Sequence, residues 1–327
     1  MASDEIIRLA EDIRSMRIRG AAEIGRAAAS GLKSYALGSR SSDAPSYMEG
    51  FDEVYRLLMN TRPTAVSLAN ALNYIRHRVL GAYRDGAPTE VLRQTTIDAS
   101  DAFLKSSLEA VKRISEIGSK RIRNGDLIMT HCNSSVAIST LIEAKRQGKD
   151  FSVIATETRP RYQGRMTAKA LSAAGIPVTL IVDSAARYFM PKVDKVVVGS
   201  DVVTANGAVV NKIGTSQIAL AAKEARVRVY VCAETYKFSP STMLGELVEI
   251  EERPPTEVVP EGEIAALGNV KIANPAFDIT PAEMIDAIIT ERGVIPPQAA
   301  ILILMEEFGY RIGEEQTGRV FVEEEER

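Results

Sequence analysis

The sequence predicts an α/β protein: an N-terminal helical domain over residues 1–118, followed by a Rossmann-like parallel-sheet domain over residues 119–327. Three observations predict it. Apolar residues recur at helical spacing through the first part of the chain. Short, continuous apolar runs alternate with helix-like stretches from Asn124 onward. Polar residues follow each of those runs.

The helical part begins at Asp4, where Ile6, Ile7, Leu9, Ala10 and Ile13 recur between charges, the pattern of one apolar helix face. A second helix is expected after Arg19-Gly20, through AAEIGRAAASGLKSYAL, where alanines favour helix. YMEGFDEVYRLLMN and TIDASDAFLKSSLEAVKRISEIGSKRI repeat the period. At Asn124-Gly125-Asp126 the rhythm changes. DLIMT, FSVIATE, PVTLIVD, DKVVVGSD and VRVYVCAE follow, with SVAISTLIEAKRQGK and RMTAKALSAAG between the first three. Strands apolar on both faces and separated by helices predict a buried parallel sheet with crossovers. The domain boundary is placed near Gly118. No strand–GxGxxG–helix signature is present, so the sheet is not predicted to bind a dinucleotide.

Composition narrows the function classes. Lys and Arg total 40 against 43 for Asp and Glu, a net charge of 40 − 43 = −3, which gives no reason to expect nucleic acid or an anionic membrane as partner. Two cysteines and two histidines without metal-ligand spacing argue against a disulfide scaffold and against zinc. The N-terminus lacks the apolar core of a signal peptide, and no apolar run is long enough to span a bilayer. A cytoplasmic location is expected.

In open α/β sheets ligands bind beyond the carboxyl ends of the strands. His131-Cys132-Asn133-Ser134-Ser135 follows the first run, Thr156-Glu157-Thr158-Arg159 the second and Asp183-Ser184 the third. Asp201 follows the fourth, and Glu234-Thr235-Tyr236-Lys237 the fifth. Cys132 precedes a helix whose first turn is Ser134-Ser135-Val136. The helix dipole is expected to stabilise its thiolate, and the first-turn amides can receive a phosphate oxygen. An isolated cysteine is ordinarily a small packed side chain, which is the reading kept for Cys232. After Asp201, Asn206-Gly207 signals a type I′ hairpin. That turn pairs Ala205 with Ala208 and sets Asp201 opposite Lys212, bringing Asp201, Asn211 and Lys212 together. Read alone, such a pair is a solvated surface ion pair. As an acid, Asp201 needs burial to outweigh Lys212.

RIRGAA, THCNSS, ETRPRYQGRMTAKAL, VGSDVVTANGAVVNKIGT, AETYKFSP and NPAFDITP occur here in one order. In that order the chain resembles the superfamily holding 5-methylthioribose-1-phosphate isomerase, ribose-1,5-bisphosphate isomerase and the regulatory subunits of translation initiation factor 2B. Retained Cys132 and Asp201 separate it from the non-catalytic subunits. AETYKFSP, with Lys237, stands where methylthioribose enzymes carry an apolar segment, so the chain is most similar to the ribose-bisphosphate isomerases. The resemblance implies conversion of ribose 1,5-bisphosphate to ribulose 1,5-bisphosphate in AMP degradation, with methylthioribose-1-phosphate isomerase or a regulatory subunit as alternatives. It implies Cys132 as the base at C2 and Asp201 as the acid. Substrate-binding roles carry over to Arg19, Gly20, Ala21, Ala22, Arg62, Ser134, Ser135, Val136, Asn211, Lys212 and Lys237, and to Gln163 from the methylthioribose members. It implies no metal or organic cofactor, a sugar bisphosphate as partner, and a homo-oligomer in which dimers build a hexamer. Without it, Arg19-Gly20 reads as a turn between helices and Arg62-Pro63 as a helix start.

Overall fold

The computed structural model describes residues 3–307, so the end of the expected 119–327 domain lies outside the described residues. The chain divides into two compact units, 1–111 and 112–327. The division falls inside a long helix.

The first unit is helical: α1 (Asp4–Arg14), α2 (Ala21–Gly38), α3 (Ala44–Met59), α4 (Val66–Arg84) and the start of α5 (Thr89–Ser119). Capping sets the starts of two of them. The Ser3 hydroxyl accepts from Ile6 N, and the Asp43 carboxylate accepts from Ser46 N at 2.8 Å, each satisfying a donor that a first helical turn leaves open. Tyr35, Tyr47 and Phe51 are buried together, with ring centroids 5.3 and 6.3 Å from Tyr35. α4, which the sequence pattern did not single out, packs along α2. Ser67 at its start donates to the Ala21 carbonyl at 2.7 Å.

In the second unit the five apolar runs become β1 (Leu127–Thr130), β2 (Ser152–Thr156), β3 (Val178–Ile181), β4 (Lys195–Val198) and β7 (Arg228–Cys232). The crossover helices are α6 (Ser135–Arg146), α7 (Gln163–Ala173), the one-turn α8 (Ala186–Phe189) and α9 (Thr215–Ala225). The structure adds β9 (Ala287–Thr290), parallel to β7, and an antiparallel edge strand β10 (Gly293–Ile295). The seven strands run in the order β10-β9-β7-β4-β1-β2-β3. Beside this sheet, β5 (Val202–Val203), β6 (Val209–Lys212) and β8 (Phe277–Thr280) form a small antiparallel sheet. Met129, Ile154, Val196, Val198, Val229 and Ile288 of the large sheet share a buried core with Ile218 and Ala222 of α9.

The chain lays β1, β2 and β3 outward in one direction. It then returns to the other side of β1 for β4, β7 and β9. The strand order therefore reverses between β1 and β4, and in open α/β sheets ligands bind beyond the carboxyl ends of strands at such a reversal. Cys132 follows β1, and Asp201 follows β4.

Candidate active site

β1 ends at Thr130, and the next two residues set the site. His131 is buried, 1% exposed. Its Nε2 is 2.8 Å from the Ile213 carbonyl, which can only accept, so Nε2 carries the proton. Nδ1 then accepts from Thr156 Oγ1 at 2.6 Å. Burial holds its pKa below the ordinary value, outweighing the Ile213 bond and the Asp183 charge that raise it. A neutral imidazole thus ties the ends of β1 and β2 to the segment entering α9. Gly214 has φ +103, and a Cβ there would stand 3.1 Å from the ring.

Cys132 has φ +66, the left-handed region, which costs a non-glycine residue about 1–2 kcal/mol. Two threonine hydroxyls hold it there. Its N–H donates to Thr158 Oγ1 at 2.9 Å, and its carbonyl accepts from Thr167 Oγ1 at 2.7 Å. Thr167 reaches because α7 starts hard against β2: a Cβ on Gly164 would lie 1.7 Å from the Thr156 carbonyl oxygen. Past Cys132, Ser134 caps α6 through Ala137 N at 3.4 Å. The amides of Ser135 and Val136 belong to the turn that has no intrahelical acceptor.

The expected thiolate is not what the surroundings favour. Cys132 keeps part of its surface open, but the atoms crowded around its sulfur desolvate it and push the thiol up to about 11. Lys212 and the Asn133 amide pull it down, while the Asp201 and Asp183 carboxylates push it further up. Desolvation and like charge together exceed the helix-end effect, which acts only through the first turn.

The expected hairpin register is corrected by one residue. Val202 pairs with Val210 and Val203 with Val209, so Asp201 stands opposite Asn211 rather than Lys212, its N–H on the Val210 carbonyl at 3.0 Å. The type I′ turn does not form. Only Gly207 (φ +82) is left-handed, and its N–H reaches the Thr204 carbonyl at 2.9 Å. This is the three-residue loop with a glycine bulge, and Asn206 stays out of the left-handed region by accepting from Ala208 N at 3.1 Å. Asn211 is buried and donates to Thr215 Oγ1 at 3.0 Å. Lys212 donates to the Ala276 carbonyl at 2.8 Å and lies 4.7 Å from the centre of the Phe277 ring. Its charge is felt at Cys132, His131 and Asp278. Cys132, Asp201, Asn211 and Lys212 therefore gather at the reversal of strand order.

Lys237 lies beyond β7, 4% exposed, and its Nζ is 2.7 Å from Glu234 Oε2. It is one half of a buried ion pair. The contact is electrostatic, since that carboxylate oxygen has no partner at hydrogen-bonding angles. Glu291 accepts from Thr235 N and Oγ1 beside it, and burial raises its pKa, with the Glu234 charge adding. Gln163 opens α7, its Oε1 buried without a partner. In the other unit, Gly20 caps α2 at φ +92, Arg19 is exposed, Ala21 is half-buried and Ala22 is buried. The half-buried Arg62 precedes α4, and the Ser67–Ala21 bond sets its loop and residues 19–22 at one end of that unit.

The Initiation factor 2 subunit family matches residues 17–297. The chain belongs to that family. Within it, a protein of Pyrococcus furiosus named ribose 1,5-bisphosphate isomerase is 56% identical over 307 residues, 94% of this chain and 95% of the relative. One of the same name from Archaeoglobus fulgidus is 54% identical, covering 96% of both chains. Among solved structures, the 5-methylthioribose 1-phosphate isomerase of Pyrococcus horikoshii OT3 superposes with a TM-score of 0.77 at 33% identity, over 92% of this chain and 87% of that one.

This member of the initiation factor 2 subunit family has site features that sequence reading missed. Thr158 and Thr167 hold Cys132 from 26 and 35 residues away, and nothing in their spacing marks them. Glu291 escaped notice for the same reason, and His131 and Glu234 were visible only as strand-end residues. Asp183 was visible as a strand-end carboxylate, without a role.

Proposed function

We propose that the protein is an isomerase that converts ribose 1,5-bisphosphate to ribulose 1,5-bisphosphate, with Cys132 and Asp201 moving the protons. What carries this reading is the shared name of relatives matching nearly the whole chain, in a chain that keeps a thiol and a carboxylate beyond the two strands where the order reverses.

The substrate's C1 bears a phosphate and is closed into the ring, so the ring must open before a ketone can form at C2. A proton from the Asp201 carboxyl to the ring oxygen lets the C1–O bond break. Cys132 takes the proton from C2, leaving an enol between C1 and C2. The thiol then returns that proton to C1, and the C2 hydroxyl gives its own to the Asp201 carboxylate as the ketone forms. Protons balance and both groups return to their starting forms. Each transfer is of the kind that general acid or base catalysis speeds about 100- to 10,000-fold. The Asp201 charge is one of the influences that raise the Cys132 thiol. An Asp201 that holds its proton for the ring oxygen no longer opposes the thiolate, so the two roles belong to one protonation state of the pair. The reaction sequence needs only proton transfers and the opening of the ring C1–O bond, and it invokes no metal or organic cofactor.

In this reading the amides of Ser134, Ser135 and Val136 receive one phosphate at the start of α6. Arg19, Gly20, Ala21, Ala22 and Arg62 come from the helical domain, 1–118. Gln163, Asn211 and Lys212 hold the sugar. Lys237 meets the second phosphate with the donors that Glu234 leaves over, since an ammonium has three. The working form is a cytoplasmic homo-oligomer, dimers assembled as a hexamer. Among the described residues no helix is long and apolar enough to cross a membrane.

Purified protein assayed on ribose 1,5-bisphosphate and on methylthioribose 1-phosphate tests the proposal. Turnover of the first well above the second is expected. The reverse preference would overturn the substrate, and no turnover of either would overturn the reaction.

A further inference from the structure

Thr158, the acceptor for the Cys132 N–H, is itself left-handed, with φ 62. For a β-branched residue this is a true outlier, so something outside the β2 loop must hold it. That group is Asp183, just beyond β3. One carboxylate oxygen accepts from Thr158 N at 2.7 Å and the other from Arg159 N at 2.7 Å. β3 is the outermost strand on that side, with β2 between it and β1. The contacts thus run Asp183 to the Thr158 backbone, then Thr158 Oγ1 to the Cys132 amide. Asp183 also faces the site directly, with Oδ1 4.0 Å from His131 Nδ1.

We propose that Asp183 is the positioning residue for Cys132: through Thr158 it fixes the left-handed turn that aims the thiol beyond β1. The proposal rests on the reading of Cys132 as the base. A base must sit within hydrogen-bond reach of the proton it takes, and a misplacement of about 1 Å costs about 100-fold. A carboxylate gripping two consecutive amides sets that turn more firmly than a neutral group, because hydrogen bonds to a charged acceptor are roughly twice as strong. The groups charged or dipolar toward the thiol are Lys212, Asp201, Asp183 and the Asn133 amide, with the neutral His131 adjoining in the chain. Asp183 is the member of that set bound to the Thr158 turn.

The test uses full-length protein carrying Cys232→Ser, so that Cys132 is the reporting thiol, and compares Thr158→Val, Thr158→Ser, Asp183→Asn and Asp183→Ala. Thr158→Val keeps the shape and loses the hydroxyl, and kcat is expected to fall about 10- to 100-fold with KM within about threefold. Thr158→Ser is expected to stay within about threefold of its parent. Asp183→Asn keeps one good acceptor and should fall between its parent and Asp183→Ala. Alkylation of Cys132 by iodoacetamide, followed by mass spectrometry across pH, reads the thiol without any substrate. Its midpoint is expected to drop in Asp183→Ala, where a like charge has gone. Should Thr158→Val or Asp183→Ala fail to fold, Thr158→Ser and Asp183→Asn still carry the comparison through kcat and the alkylation profile. Unchanged kcat in Asp183→Asn, and in Thr158→Val and Asp183→Ala where they fold, would overturn the proposal. So would kcat and KM changing in parallel with melting temperature while the alkylation profiles superimpose, since that is the behaviour of a loop brace. If the parent turns over neither sugar phosphate, the isomerase reading fails, and the alkylation profiles alone decide whether Asp183 sets the thiol.

Discussion

Cys132 and Cys232 stand at the carboxyl ends of β1 and β7, the two strands that flank β4. Burial pushes both thiols up, Cys132 to about 11 and Cys232 to about 12, so burial does not separate them. Their surroundings do. Cys232 is the last residue of its strand, in register with Ile289, and its sulfur is 3.7 Å from Thr140 Oγ1. The charges nearest it, Glu234 and Lys237, are paired with each other. Cys132 lies two residues past its strand, turned left-handed, and faces Lys212 and Asp201. The difference teaches that a strand-end thiol becomes a candidate base when the backbone turns it out of the ladder and toward the charges of a neighbouring strand end. The same thiol left in the ladder is a packed side chain.

The largest expected effect is at the first cysteine. Cys132→Ser should lower turnover by at least about 1,000-fold, within the range lost when a catalytic group is removed, with melting temperature within a few degrees of wild type. Asp201→Asn should do the same. Turnover near wild type in either variant would end the assignment of that residue.

At the other strand end, Lys237→Ala leaves Glu234 buried without its counter-charge, a change that costs about 3–5 kcal/mol. Chemical denaturation should show the loss, and the double variant Glu234→Gln with Lys237→Met should recover most of it. The single variant should also weaken ribose 1,5-bisphosphate about 10- to 150-fold, the worth of one charge-assisted bond. Full stability in Lys237→Ala would mean that the pair is not sealed as described.

Alkaline pH sharpens the comparison further. A thiol raised by burial stays neutral in the folded chain after it has ionised in the unfolded one. Its contribution to stability is therefore complete below the ordinary thiol value near 9 and is lost as pH rises toward about 11 for Cys132. Between those limits wild type should lose about 2–3 kcal/mol more than Cys132→Ser. Denaturation curves at pH 7, 9 and 10.5 would show it, and equal losses would place the Cys132 thiol near its ordinary value.

The smallest effect belongs to Cys232→Ala. Shortening a buried side chain by one heavy atom should cost about 1 kcal/mol, with kcat and KM for ribose 1,5-bisphosphate within about twofold of wild type. A tenfold fall in kcat would mean that the β7 cysteine takes part in the chemistry.

The architecture was legible because period and burial leave marks along the chain. Five of the seven strands of the large sheet show as apolar runs, and α1, α2, α3 and most of α5 as helical repeats. β10 is a short edge strand with half-buried residues throughout, so it carries no such mark. Of the small sheet, the β5–β6 hairpin was visible at Asn206-Gly207, whereas β8 escaped because it lies far along the chain from β6. Asp201 and Asn211 were rightly brought together. Their register was missed by one residue, because Asn206-Gly207 suits two turn types and only the Thr204 and Ala208 contacts choose between them.

By itself, then, the sequence determined the helical part, the parallel sheet and the polar residues at the strand ends, since each follows from local spacing and from which side chains tolerate burial. The tertiary structure decided which strand ends are neighbours: the order reverses between β1 and β4, so Cys132 meets Asp201 while Cys232 does not join them. It also decided the state of the charges. Lys237 is engaged by Glu234 and burial pushes the Cys132 thiol up, because desolvation and ion pairing depend on what surrounds a group in space, and those neighbours are drawn from the whole chain.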